Sequence, residues 1–283
     1  MSTEQSVIHD IGYQRYTGAR LGRWYAVRSL YTHALRTCFG LGRSVKAKIF
    51  PWFVVGIVVI VAAVVTAVRS QIGEVVLTYP AFSDSVSFLL LLFCAAVAPE
   101  LVSRDLRTGV LPLYFSRPLT RSDYALAKLA ALITAVWLVL AAPLLLMFIG
   151  GAFNLDGLRP VWDEFLDFLP GLAYAAIYAV VFSTVSLLVA SLASRRAVAA
   201  AVVVATFLVT TPVVGVLGIA GGDAQYLAFI ASPFTLVQGI GVWAFEIESF
   251  DIGQYGPTYG LAAAFLAGIC TLLLVARYRK VAQ

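Results

Sequence analysis

The sequence predicts an all-α polytopic membrane protein with six transmembrane helices. Three observations predict it. Of 283 residues, 61% are hydrophobic and 12% charged, more apolar residue than a soluble core of this size uses. Mean hydropathy is +0.90. Uncharged runs near the length needed to cross a bilayer, about 20 residues, recur along the chain.

Residues 1–49 read as a polar, basic tail and residues 50–283 as the membrane domain. No signal-peptide pattern precedes the first apolar run, which begins near Phe50. From Arg23 to Phe50, the residues Trp24, Val27, Leu30, Tyr31, Leu35, Cys38 and Phe39 recur at helical spacing beside Arg28, Arg36 and Arg43. That pattern predicts an amphipathic helix lying in the interface. The alternative is a plain cytoplasmic tail whose charges only set topology.

Span 1 is expected at Pro51–Val68 and span 2 at Ser83–Ala98, with Asp84 at its outer end. Span 3 covers Tyr124–Ile149, with a kink expected at Pro143. Span 4 covers Phe168–Ala193, and span 5 Ala197–Ala220, with Pro212 expected to break its outer end. Span 6 covers Thr258–Ala276. Small residues crowd spans 4 and 5, among them Ala176, Ala179, Ser183, Ala201 and Ala205. They permit close helix packing, within one chain or between two.

Tyr226–Phe245 is nearly long enough to span, but Ser232, Pro233, Gly239 and Gly241 interrupt it. Charge decides its reading. With the N-terminus inside and six spans, the cytoplasmic side receives 18 of the 20 Lys and Arg residues, leaving only Arg69 and Arg159 outside. The positive-inside rule favours this plan strongly. A seventh span would put the basic C-terminus outside. Tyr226–Phe245 is therefore expected to be a re-entrant or surface helical pair. The outer side carries Glu74, Asp84, Asp156, Asp163, Glu164, Asp167, Asp223, Glu246, Glu248 and Asp251. This is a solvated face or a vestibule favouring cationic cargo.

Pro99–Lys128 is the most charged internal stretch. About thirty residues, broken by Gly109, Pro112 and Pro118, exceed what a plain connection between two spans needs. The segment reads as a short structured element on the membrane surface, placed for a soluble partner to grip.

Missing chemistry narrows the classes. There is no G-x-x-x-x-G-K-[ST] phosphate loop and no H-E-x-x-H or G-x-S-x-G motif. The two histidines, His9 and His33, lie in the tail, and Cys38, Cys94 and Cys270 are far apart. Essentially no ionisable residue is expected deep within a span, where carriers and intramembrane enzymes keep some. Energy is then expected from outside the membrane, through a partner, with no enzymatic activity and no cofactor in this chain. The basic residues sit beside spans, so they do not point to nucleic acid.

With these residues in view, the chain resembles the permease subunits of ABC transporters of the ABC-2 type. The resemblance rests on Glu100, the Arg104–Asp105 pair, Gly109, and the run SRPLTRSDYALAK with Pro118, Arg121, Tyr124 and Lys128. The tail string IHDIGYQRYTGARLGR resembles the start of a bacterial subgroup common in actinobacteria. The likeness implies an elbow helix at Arg23–Phe50, a coupling helix within Glu100–Lys128, and re-entrant helices at Tyr226–Phe245. It implies an exporter in the plasma membrane with both termini cytoplasmic, built from two permeases, identical or homologous, and two ATPase subunits that bind ATP and Mg. Coupling to the ATPase would fall on Glu100, Arg104, Asp105, Arg107, Gly109, Pro118, Arg121 and Lys128, with a second contact at Arg195 and Arg196. Glu100 would pair with Arg104 or with a basic residue of the elbow helix. Spans 1, 2 and 5 would line a route for an amphipathic, lipid-like, drug or peptide cargo. The competing expectation is a membrane scaffold or immunity subunit that recruits a soluble ATPase without transport.

Overall fold

A computed structural model describes residue 18 and residues 21–109, 111–116, 118–219 and 221–280. The readings that fall on the first seventeen residues, on residues 19 and 20 and on Arg117 lie outside it. Every regular element among the described residues is helical. In order they are α1 (Arg23–Cys38), α2 (Val45–Ile72), α3 (Tyr79–Ser85), α4 (Ser87–Thr108), α5 (Leu111–Phe115) and α6 (Arg121–Ala152). Then come α7 (Leu158–Leu192), α8 (Arg196–Gly218), α9 (Asp223–Leu227), a 3-10 turn (Ala228–Ala231), α10 (Pro233–Phe245) and α11 (Gly256–Lys280).

Among the described residues, α2, α6, α7, α8 and α11 are long and apolar enough to cross a membrane, and α3 with α4 makes a sixth span if that bent pair counts as one. The fold is that of a polytopic helical membrane protein. The helices outrun the apolar runs that mark them, because backbone hydrogen bonding continues into the interface where hydropathy stops. Thus α7 begins at Leu158, ten residues before the expected Phe168. α6 and α7 form the centre: 50% and 67% of their most apolar windows are buried, against 22% for α2, α8 and α11.

Three elements differ from expectation: the tail helix, span 2 and the outer end of span 5. The tail helix stops at Cys38, and Val45–Phe50 belongs to α2. Between them Gly40 takes φ +66, and a Cβ there would lie 2.8 Å from the Ala47 carbonyl oxygen, so only glycine makes this turn comfortably. The apolar stripe of α1 (Leu30, Ala34, Cys38) is buried in the bundle core. α1 runs lengthwise on α6, with Arg23 reaching Asp123 and Tyr31 reaching Thr134.

Span 2 is bent by 57° where Val86 separates α3 from α4. α8 runs through Pro212 to Gly218 rather than breaking there. The hydroxyls of Thr210 and Thr211 donate to the Thr206 and Phe207 carbonyls one turn back, beside the Leu208 carbonyl that Pro212 leaves without its N–H donor. α6 likewise stays helical through Pro143.

Tyr226–Phe245 does not form one helix. Its longest piece, α10, has 13 residues, about 20 Å at 1.5 Å per residue, short of a ~30 Å hydrocarbon core. The Ser232 hydroxyl accepts from Phe234 N–H and shares a hydrogen bond with the Thr210 hydroxyl, so the break is seated against α8 about two turns before that helix ends. Phe229 stacks on Phe250 at 3.8 Å, placing the chain that enters α10 beside the chain that leaves it.

Candidate functional site

Most of the residues expected to carry coupling gather at one end of the bundle, where α1, α5 and the ends of α4, α6, α7, α8 and α11 meet. This basic end is built from the segment after α4. α4 stops at Gly109, which takes the left-handed φ of 64° that favours glycine at a helix C-terminus. Five residues of α5 follow, with Leu111 turned inward and Leu113 exposed. α6 then starts on a capping box: Asp123 N–H donates to Thr120 Oγ1 at 3.2 Å, and Thr120 N–H donates to Asp123 Oδ2 at 3.0 Å. The Asp123 carboxylate also takes two bonds from Arg23, both at 2.7 Å. That fork fixes the start of α1 to the start of α6 and raises the Arg23 guanidinium above its ordinary pKa.

Glu100 accepts from Arg43 through one carboxylate oxygen and pairs with Arg196 through the other. Arg43 lies in the turn between α1 and α2, and Arg196 opens α8 with Arg195 as its N-cap. Glu100 thus joins three elements, through a residue just after α1 and one from the distant α7–α8 turn.

Asp105 and Lys128 turn inward. Lys128 Nζ donates to Asp105 Oδ2 and to the Leu101 carbonyl, both at 2.9 Å, and Tyr124 donates to the same Asp105 oxygen at 2.6 Å. Lys128 is buried, against the expectation of essentially no ionisable residue inside the spans. The pair survives burial because each partner is charged, bonded and matched. Tyr124 stands between Tyr114 of α5 and Tyr278 of α11, with ring centroids 5.5 and 5.2 Å away. Arg121 donates to the Arg279 carbonyl at 2.8 Å, tying α6 to the end of α11. Pro118 helps wall a cleft of about 430 Å³ between α1 and α5, with Tyr25, Ser29, Tyr114 and Leu119.

The structure therefore brings Glu100, Asp105, Gly109, Pro118, Arg121, Lys128 and Arg196 to one end. Arg104 and Arg107 sit on the last turns of α4, and their side chains lie outside the described residues. Arg43 belongs to the Arg23–Phe50 segment from which a basic partner for Glu100 was expected. Asp123 escaped the sequence reading as a joint, although Thr120-x-x-Asp123 ahead of an apolar run is a capping-box signature.

The opposite end is acidic. Eight of its ten carboxylates are exposed, but Glu164 is buried and Asp84 half-buried. Glu164 takes both guanidinium nitrogens of Arg69 at 2.7 Å and a bond from Tyr79. Asp84 Oδ1 accepts from Tyr174 and Tyr178, each at 2.6 Å. These two carboxylates join α2, α3 and α7 and are not part of a solvated face. No protein-family model matches the chain, and no curated protein matches it either.

Proposed function

We propose that this chain is the membrane subunit of an ATP-binding cassette exporter of the ABC-2 type, driven by a separate ATPase that holds the ATP and Mg. The observation that carries this reading is how α5 is mounted. It is a five-residue helix with an exposed leucine, set between two spans. Around it, polar bonds tie α4 to α6, α6 to α1, and α6 to α11, while Glu100 ties α4 to the starts of α2 and α8. Tyr114 of α5 lies against Tyr124 of α6, which is bonded to Asp105 of α4, so a push on α5 reaches these joined helix ends, which is what a lever between an ATPase and a transport path requires. A loop that served only as a connection would need none of these bonds.

On this reading the basic end is cytoplasmic in the plasma membrane, α1 is the elbow helix, α5 is the coupling helix, and α9 to α10 form the re-entrant pair. Two such permeases and two ATPase subunits make the working complex. The cargo is amphipathic or lipid-like. This chain supplies no catalytic group of its own.

Purification of the full chain from its native cells in mild detergent tests the reading. A near-stoichiometric soluble ATPase is expected, and Leu113→Asp should release it while the chain stays membrane-inserted. Recovery of the membrane chain alone, or with a partner lacking a nucleotide site, would overturn the proposal in favour of a scaffold.

A further inference from the structure

One face of α4 stays partly open. Phe88, Leu92, Ala96 and Glu100, four residues apart and so in line on the helix, each keep exposed surface, while Leu90, Leu91, Phe93, Cys94, Val97 and Ala98 are buried. α2 and α8 both pack on α4 and do not pack extensively on each other. The stripe is apolar for three turns and then reaches Glu100, which Arg43 grips from the α2 side and Arg196 from the α8 side.

The two guanidiniums take different oxygens of the one carboxylate. A phosphate would satisfy the same two donors, and charge-assisted bonds of this kind are the strong ones. Two arginines against one glutamate leave a net positive charge, and Arg195 beside Arg196 adds to it. From Phe88 to Glu100 is twelve residues, about 18 Å at the helical rise. Half of a ~30 Å hydrocarbon core is about 15 Å, so the stripe matches the depth of one leaflet.

We infer that this furrow seats an anionic amphiphile, its phosphate headgroup taking the place of Glu100 between Arg43 and Arg196 and its acyl tail lying along Phe88, Leu92 and Ala96. Glu100 then acts as an internal competitor that holds the two arginines in position until a headgroup displaces it. As a cargo site the furrow rests on the export reading, but binding belongs to this chain alone and is measurable without any ATPase.

The test uses the purified full chain and a fluorescent lysophosphatidic acid, with the phosphocholine analogue and inorganic phosphate for comparison. The phosphate monoester should bind roughly tenfold more tightly than the zwitterion, whose phosphodiester has one negative charge fewer and carries a choline cation that the arginines repel. Millimolar inorganic phosphate should not displace it, because the tail contributes. Arg43→Gln and Arg196→Gln should each weaken binding by about the same factor, and Arg159→Gln at the acidic end should not. Glu100→Gln should tighten binding, which a merely structural glutamate would not do. Arg196 is mostly exposed, so Arg196→Gln keeps the test open if Glu100→Gln fails to fold. Equal binding of the two headgroups, an Arg196→Gln chain that binds as well as wild type, or a folded Glu100→Gln chain that binds no better would overturn the inference. Tight, arginine-dependent binding by a chain that recruits no ATPase would leave the site standing and remove only its role in export.

Discussion

Lys128→Met isolates the most deeply placed charge at the basic end. The Lys128 side chain is 5% exposed and that of Asp105 14%. The substitution preserves most of the apolar stem but removes the ammonium, leaving Asp105 with the Tyr124 hydroxyl and no counter-ion among the described residues. Breaking one side of a buried pair costs about 3–5 kcal/mol, because the remaining charge stays desolvated. At about 2–4 °C per kcal/mol for chains of comparable size, Tm should fall by at least about 6 °C. Asp105→Asn combined with Lys128→Met removes the stranded charge and leaves an acceptor for Tyr124, so the double variant should recover most of the loss. Thermal unfolding of the detergent-purified chain reads both effects. A single variant as stable as wild type, or a double variant whose losses simply add, would refute the reasoning that the pair is a buried, mutually dependent unit.

Cys38, Cys94 and Cys270 are all buried, and burial pushes the Cys38 thiol up to about 12. The folded chain at pH 8 should therefore resist a polar maleimide at Cys38, and unfolding should expose all three thiols; rapid labelling of the native chain would contradict the packing of α1. Gly239 of α10 faces the Tyr259 ring so closely that a Cβ would sit 2.2 Å from it. Gly239→Leu should separate α10 from α11 and cost about 1–3 kcal/mol through overpacking, read as a lower Tm. Single cysteines at Leu113 and Asp156, in an otherwise cysteine-free chain, should label from opposite sides of the membrane; labelling from one side would break the six-span plan.

The spans were legible because apolar runs of bilayer length have few other uses. Their ends were less so. Hydropathy marks the hydrocarbon boundary, whereas α2 and α7 continue past it, and the α1 pattern ran on through Phe39–Ser44 although Gly40 bends the chain there. The bend at Val86 was not read, although Ser83, Asp84, Ser85 and Ser87 surround it; the Ser85 and Ser87 hydroxyls bond the Phe82 and Asp84 carbonyls there, competing with the helix ladder. At the site, the charges could be found but not the individual residues they meet; for Glu100 the reading reached only as far as Arg104 or some basic residue of the elbow segment. Glu100 finds Arg43 fifty-seven residues back, and Arg69 finds Glu164 ninety-five residues on. Pairings at such separations follow from how the helices pack. A periodicity within one helix contains no such information, so Asp105 and Lys128 read as surface charges although they face each other inside.

The fork between Arg23 and Asp123 also constrains the birth of the protein. The two residues are 100 positions apart. At 5–20 residues per second a ribosome takes about 5–20 s to make that interval. During those seconds α1 has been synthesised but its seat on α6 has not, and its apolar stripe must be shielded by lipid or by a chaperone. A transcript cut short before α6 would leave that stripe permanently uncovered, marking the fragment for removal.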